Sequence, residues 1–80
     1  MTRIIWTEPA KADVRRLDKP TAMRIFAALQ RFADTGEGDV KALHGREELR
    51  LRIGDYRLFF VAAAEAIEVR RIFHRSEAYR

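Results

Sequence analysis

Three arginines stand where a predicted turn would bring them onto one surface. Arg50 and Arg52 alternate with apolar residues in the run 49–53, and Arg57 follows a Gly-Asp pair in the β-rich run 56–61. Such runs joined by a two-residue Gly-X turn predict a β-hairpin in which Arg52 lies opposite Arg57. Opposed residues of an antiparallel pair share one side of the sheet, where like charges are mildly destabilising. We therefore expect an anion to bind there, and nucleic acid is the polyanion that a basic surface favours.

The composition is that of one small basic domain. The chain has 80 residues, a net charge of +4 and a hydrophobic fraction of 48%, which suffices for one modest core. It has no cysteine, which excludes disulfide scaffolds, thiolate zinc sites and cysteine nucleophiles. It has no apolar run of membrane-spanning length and no signal-peptide core at its N-terminus. We expect a single domain over residues 1–80, located in the cytoplasm, with no membrane association.

The elements that position the arginines follow from apolar periodicity. A short strand is predicted at 3–6, one helix begins at Pro9, a second begins at Pro20, and a last strand at 67–73 follows the hairpin. The order is βααβββ, and the two helices should form an antiparallel hairpin because they are close in sequence. The predicted fold class is α+β, a small antiparallel sheet with a two-helix hairpin on one face and the arginines on the other.

Each predicted helix has an apolar and a polar side. Phe26, Leu29 and Phe32 belong to a stripe with helical spacing in the second helix, so they are predicted to lie in the core. Lys11 and Arg15 lie off the stripe of the first helix and predict a solvated basic surface. The functional interpretation of that surface is contact with RNA phosphates, which carries no sequence information.

Two further segments extend the pattern beyond the hairpin. A Leu43-x-Gly45 loop precedes it, and His74-Arg75 followed by Tyr79 closes the chain. Together with the run 49–57, these segments resemble the RelE/ParE superfamily of bacterial type II toxins over essentially the whole chain. RelE-type members are small ribonucleases that cut messenger RNA, usually in the ribosomal A site. ParE-type members keep the fold, poison DNA gyrase and lack the RNA-cutting residues. The closing segment resembles the RelE branch.

The resemblance implies metal-independent cleavage, in which a ribose 2′-OH attacks the adjacent phosphate and leaves a 2′,3′-cyclic phosphate. This reaction needs positive charge around the phosphorane and help with proton transfer. Arg57 corresponds to the family's most characteristic catalytic position and is expected to clamp the scissile phosphate as a fork-shaped donor. Arg50 matches a position that supports the transition state, and Arg75 matches the basic residue of the closing segment. Tyr79 matches the tyrosine that stacks on a base and serves as the base for the 2′-OH.

Four residues are expected to bind the RNA without reacting: Arg52, His74, Lys11 and Arg15. Two of them have an equally simple structural interpretation. Arg52, like Arg50, fits the polar side of a half-buried strand, and His74 fits a packing residue at a strand end. An acid–base pair of His44 with His74 is a further alternative. The penultimate Tyr79 also fits a terminal packing residue.

The chain departs from the superfamily pattern at two places. Glu48 stands where some RelE toxins carry another catalytic lysine, and Arg70 occupies a strand position that is commonly apolar in relatives. The pair Arg70-Arg71 predicts a β-bulge or an exposed edge. Because the closing segment is compact, the second basic group of the site is either His74 or Arg75.

The expected partners follow from the resemblance and the charge. We expect an acidic antitoxin that covers the arginine face, messenger RNA and the ribosome, and operator DNA bound only through the antitoxin. No cofactor and no metal are expected, because acidic residues are scattered singly apart from Glu47-Glu48. Two alternatives stay open: a ParE-like gyrase inhibitor without nuclease activity, and a degenerate member that binds only its antitoxin and operator DNA.

Overall fold

Two helices lie on one side of a five-stranded mixed sheet. The computed structural model describes residues 2–77. Its elements are β1 (Arg3–Trp6), α1 (Glu8–Arg15), α2 (Lys19–Thr35), β2 (Asp39–Ala42), β3 (Leu49–Ile53), β4 (Tyr56–Ala62) and β5 (Ala66–His74). The strands lie side by side in the order β1-β5-β4-β3-β2. The predicted α+β class, with a helical layer on one face, is confirmed. Within residues 2–77, neither helix is long and apolar enough to cross a membrane.

The helix boundaries follow from capping residues. Thr7 accepts a backbone hydrogen bond from the first turn of α1, and its hydroxyl donates to the carbonyl of Val69 at 2.7 Å, which ties α1 to β5. Asp18 caps α2, and hydrogen bonds from the hydroxyl and the N–H of Thr21 hold the pKa of this carboxyl below its usual range. α2 ends at Gly36, whose φ of 79° is the left-handed conformation that glycine adopts without strain.

The sheet differs from the prediction in two details. β1 pairs with β5 in parallel, so the sheet is mixed rather than wholly antiparallel. This direction is possible because β1 leads into the helices and not into a tight turn. A fifth strand, β2, lies at the edge beside β3, where a loop was expected. Gly38 allows its close approach, since a Cβ atom there would lie 2.8 Å from Leu51 Cδ1.

The core lies between the helices and the sheet. Phe32 packs against Phe60 with ring centroids 5.4 Å apart, and Leu29 is fully buried, as predicted. Phe26 is not a core residue: it is 38% exposed and contacts Trp6 edge-on at 5.5 Å at the rim of the helical layer. The stripe of α2 is broader than the area that the sheet covers, so its edge stays at the surface. The buried core comprises Ala10, Ile25, Leu29, Leu51, Ile53, Leu58, Phe60, Ile67, Val69 and Ile72.

A register shift interrupts the pairing of β4 with β5. Phe59 pairs with Arg71 and Phe60 pairs with Val69, so Arg70 is one residue too many on β5. This is the irregularity that the arginine pair predicted. Because of it, Val69 and Ile72 both face the core although they are three residues apart. Arg71 consequently lies on the side of the sheet opposite the helices.

Candidate functional site

The open face is defined as the side of the sheet opposite α1 and α2, and two of its rows of paired residues contain the predicted arginines. The register places Lys41, Arg50, Phe59 and Arg71 in one row, and Asp39, Arg52, Arg57 and Phe73 in the next. Arg52 pairs with Arg57, as the Gly-X turn predicts. The two rows together contain five basic residues, two phenylalanines and a single acidic residue. The positive charge suits a polyanion, and the aromatic rings suit the planar bases of a nucleic acid.

Arg57 is the most buried charge of the open face. Its residue is only 7% exposed, and its Nη1 donates to the carbonyls of Gly54 and Tyr56, each at 3.1 Å. Its Nε is a buried donor with no hydrogen-bond acceptor among residues 2–77. No ion pair within this part of the chain includes Arg57. The guanidinium is therefore desolvated, is held by neutral carbonyls and retains an unused donor.

The two phenylalanines of the open face are neighbours. Phe59 and Phe73 are both half-buried, with ring centroids 5.8 Å apart and a tilt of 60° between the rings. The guanidinium carbon of Arg71 lies 4.4 Å above the centroid of the Phe73 ring, at a cation–π distance. The sequence interpretation did not single out these residues. The signal was present, since Phe59 lies two residues from Arg57, and residues two apart share a face of a strand.

The guanidinium of Arg71 is held in place by a buried carboxylate of the helical layer. Asp13 of α1 is 3% exposed and accepts from Arg71 Nε at 2.8 Å and Nη2 at 3.2 Å. It also accepts from Arg16 Nη2 at 2.6 Å and from the Ile72 N–H at 2.8 Å. The pairing of β1 with β5 ends at Val69, so Ile72 lies beyond β1. Burial raises the pKa of Asp13, but the bonds from Arg71, Ile72 and Arg16 outweigh burial and hold the pKa below 3.8. The bond to Asp13 raises the pKa of Arg71 above its ordinary value.

Asp13 was also missed at the level of the sequence. It lies three residues after Ala10 and four before Leu17, so it belongs to the side of α1 that packs against β5. A carboxylate on the buried side of a predicted helix indicates a cluster of charged or hydrogen-bonding partners, because a buried charge needs partners. The partners themselves, Arg71 and Ile72, are far away in sequence and follow only from the fold.

His74 lies on the helical side of the sheet and not on the open face. It pairs with Tyr56, and their rings meet edge-on with centroids 5.3 Å apart. Its Nδ1 is 2.9 Å from the hydroxyl of Ser76. The structure thus separates His74 from Arg52 and Arg57 by the thickness of the sheet. An acid–base pair with His44 does not form either, because His44 precedes the start of β3 whereas His74 lies beside the end of that strand.

The remaining predicted residues lie around the open face or behind it. Arg75 is exposed beside the hairpin turn, where its N–H donates to Asp55 O at 2.6 Å. Lys11 and Arg15 line a groove of about 300 Å³ on the helical side, and Lys11 forms an ion pair with Glu8 at 3.1 Å. Tyr79 lies outside the described residues. Arg50, Arg52 and Arg57 therefore share the open face, with Arg75 at its end and Lys11 and Arg15 behind it.

The chemistry available on the open face is anion binding by guanidinium groups. A fork of N–H donors matches the oxygens of a phosphodiester, and it stabilises charge that develops on them. Among residues 2–77, no group of three or more histidine, aspartate or glutamate side chains is arranged to hold a metal ion.

Comparison with known proteins gives a consistent result. The model of the family described as "ParE toxin of type II toxin-antitoxin system, parDE" matches residues 4–79. The chain resembles the RelB–RelE complex from Methanococcus jannaschii with a TM-score of 0.76 and 20% identity, covering 94% of each chain. It resembles the RelBE complex from E. coli (0.74; 18%; 92% of this chain and 96% of that one) and the YoeB–YefM complex from Staphylococcus aureus (0.71; 18%; 89% and 93%). At these identities the likeness concerns the fold. No curated protein sequence matches the chain.

Proposed function

We propose that this chain, which belongs to the family of ParE toxins of type II toxin–antitoxin systems, is a metal-independent endonuclease that cuts messenger RNA on the ribosome. The proposal rests on the open face, where three arginines that match the RelE pattern lie on neighbouring strands. RelE-type toxins, which the hairpin and the closing segment resemble, cut RNA in this way. The products would carry 2′,3′-cyclic phosphate and 5′-OH ends.

The observation that carries the proposal is the state of Arg57. A buried cation is costly unless it is paired, and within residues 2–77 this one is bound only by two carbonyl oxygens. Its Nε has no acceptor in the described part of the chain. A phosphodiester seated beside Arg52 would supply the missing negative charge. A bound anion would thus offset the cost of the buried guanidinium, which no negative charge among residues 2–77 offsets.

The reaction would proceed by charge stabilisation and proton transfer. The 2′-oxygen bonds to phosphorus as its proton passes to a base, the bond to the 5′-oxygen breaks, and the leaving oxygen takes up a proton. Arg57 would hold the phosphorane oxygens, and Arg50 and Arg52 would hold the flanking chain. Arg75 lies at the turn end of this face, where it would supply the second basic group. Tyr79, which matches the tyrosine of the superfamily's closing segment, is proposed as the base.

A second candidate is inhibition of DNA gyrase by binding, without nuclease activity. The specific observation in its favour is the match to the ParE family model along residues 4–79. The bonds of Arg57 to the turn carbonyls are compatible with it, because a guanidinium so held also has a structural role. In this case the open face would bind a protein surface or DNA and would carry out no reaction.

Pulse labelling after induction without antitoxin separates the two candidates. The endonuclease stops protein synthesis first, and primer extension on messenger RNA then shows new ends within reading frames. A gyrase inhibitor stops DNA synthesis first, induces the SOS response and leaves translation running. An early stop of DNA synthesis with intact messenger RNA would overturn the endonuclease proposal. Product ends with 3′-OH and 5′-phosphate would overturn its mechanism.

The proposed partner is an acidic antitoxin that covers the open face. The solved structures that resemble this chain include toxin–antitoxin complexes. An acidic segment would neutralise Arg50, Arg52 and Arg57, and its folding on binding would be coupled to inhibition. Operator DNA would be bound only through the antitoxin, and the complex would act in the cytoplasm.

A further inference from the structure

We infer that Phe59, Phe73 and the guanidinium of Arg71 form a stacking platform for the unpaired bases of single-stranded RNA. The inference rests on the proposed function, since it names how RNA would be held at the same open face. It assigns base binding to described residues of the sheet, which the resemblance to the superfamily does not provide. The platform is defined by these three residues.

The geometry of the platform leaves planar surfaces for bases. The rings of Phe59 and Phe73 are tilted by 60°, so they do not cover each other as stacked rings would. The guanidinium carbon of Arg71 lies 4.4 Å from the centroid of the Phe73 ring, and the Arg71 side chain is 43% exposed. Bases stack both on phenylalanine rings and on guanidinium planes. The platform thus offers an aromatic ring and a partly exposed guanidinium side by side.

The charges around the platform fit single-stranded RNA in particular. Arg50 pairs with Phe59, and Arg57 pairs with Phe73, so each ring has a basic residue as its cross-strand neighbour. Arg57 and Phe59 are two residues apart on β4, which corresponds to roughly 6.8 Å along the strand. One nucleotide can therefore place its phosphate on an arginine and its base on the neighbouring ring. A basic groove interleaved with aromatic rings is how single strands are bound without sequence preference.

Asp13 is the positioning residue of the platform. Its two bonds to Arg71 and its bond to the N–H of Ile72 hold the guanidinium against the sheet instead of leaving it in solvent. Because Asp13 is buried and belongs to α1, the helical layer determines the position of a group on the open face. Without Asp13, Arg71 would keep its charge but lose its fixed plane.

The test uses a short 2′-O-methyl oligoribonucleotide with 2-aminopurine at its centre, which binds but has no 2′-OH to react. The full chain should quench the fluorescence, because stacking quenches 2-aminopurine. Phe59→Leu and Phe73→Leu should each weaken binding by about 5- to 150-fold and reduce the quenching. Phe73→Tyr keeps the ring and should bind as the unaltered chain does. Asp13→Asn should reduce quenching more than it reduces binding.

Two controls separate stacking from charge and from loss of fold. Ile5→Ala removes a 40% exposed apolar side chain from β1 and should leave binding unchanged. Arg52→Ala should reduce the slope of the logarithm of the binding constant against the logarithm of the salt concentration by about one, which corresponds to one phosphate contact. The phenylalanine variants should leave that slope unchanged. Circular dichroism and thermal unfolding establish that each variant is folded.

The outcomes distinguish the platform from the proposed function. If the chain quenches 2-aminopurine through Phe59 and Phe73 but programmed ribosomes show no cleavage, the platform stands and the endonuclease proposal fails. If the oligoribonucleotide does not bind, or binds without quenching, the platform is wrong whatever the cleavage assay shows. If the leucine variants weaken only antitoxin binding, the rings belong to the protein interface and the platform is wrong.

Discussion

Two buried charges of this protein have opposite surroundings. Asp13 accepts from two arginines and a backbone N–H, so its charge is compensated within the described chain. Arg57 is bound by two carbonyls and has a buried donor with no acceptor among residues 2–77. A compensated buried carboxylate costs the fold little, whereas a buried guanidinium without an ionic partner is costly, which is the basis of the proposal that Arg57 binds an anion. The two residues thus differ in electrostatic surroundings although both are buried.

Asp13→Asn should destabilise the protein by about 2–3 kcal/mol, because hydrogen bonds to a charged group are among the strong ones and the replaced oxygen leaves donors without a charged partner. The measurement is urea unfolding at neutral pH. Asp34→Asn is the matched control, since Asp34 is exposed and accepts a single bond from Gln30. Equal stability of the Asp13 variant and the unaltered chain would show that the cluster contributes nothing.

The pH dependence of that difference has a defined sign. The pKa of Asp13 is below 3.8 in the folded protein, and 3.8 is the usual value that the unfolded chain restores. The carboxylate therefore contributes its full stabilisation above pH 3.8, and the contribution is lost as the pH falls through the folded pKa. The gap in unfolding free energy between the unaltered chain and Asp13→Asn should stay constant from neutral pH to about pH 5 and narrow in more acidic solution. A gap that widens towards acid would contradict the assignment.

At the scale of elements, the strongest predictions came from local signals. The hairpin of β3 and β4 was predictable because Gly54-Asp55 separates two β-rich runs, and the helices because prolines and capping residues mark where they begin. The irregularity at Arg70 followed from two adjacent arginines in an apolar strand. β2 was missed because four residues with little apolar alternation do not distinguish an edge strand from a loop. The parallel direction of β1 was missed because no tight turn determines it.

The parts of the candidate site that depend on local pattern were predictable, and those that depend on long-range contacts were not. Alternation along β3 placed Arg50 and Arg52 on one face, and the two-residue turn placed Arg57 opposite Arg52 on that face. The cluster of Asp13 with Arg71 depends on a contact between residues 58 positions apart, so the sequence could indicate only that a buried carboxylate needs partners. The face on which His74 lies depends on the alternation of side chains along β5. The extra residue at Arg70 reverses that alternation, so His74 lies on the helical side.

The junction of α1 with β5 gives a prediction at this scale. Thr7→Val keeps the shape of the side chain but removes the acceptor that caps α1 and the donor to Val69, so it should destabilise the protein by about 1–2 kcal/mol. Thermal or urea unfolding measures the change. Thr35→Val, at the exposed end of α2, is the comparison and should cost less. An equal cost for both would indicate that the link from Thr7 to β5 is unimportant.

At the scale of the whole molecule, the sheet separates two surfaces with different properties. The open face contains the arginines and the platform, and the helical side contains the groove beside Lys11 and Arg15. Asp13 connects them, since it belongs to α1 and fixes Arg71. A partner that shifts α1 would therefore also change the open face. This connection would allow an antitoxin bound to the helical side to alter the proposed RNA site without covering it.

The central claim is that Arg57 stabilises charge in RNA cleavage, and single-turnover cleavage of messenger RNA on programmed ribosomes tests it most directly. Arg57→Ala should slow the chemical step by about 10²–10³, and Arg57→Lys should restore only part of the rate because an ammonium lacks the forked donors. Arg24→Ala, an exposed arginine of α2, should cut at the unaltered rate. Cleavage by folded Arg57→Ala at the rate of the unaltered chain would contradict the account.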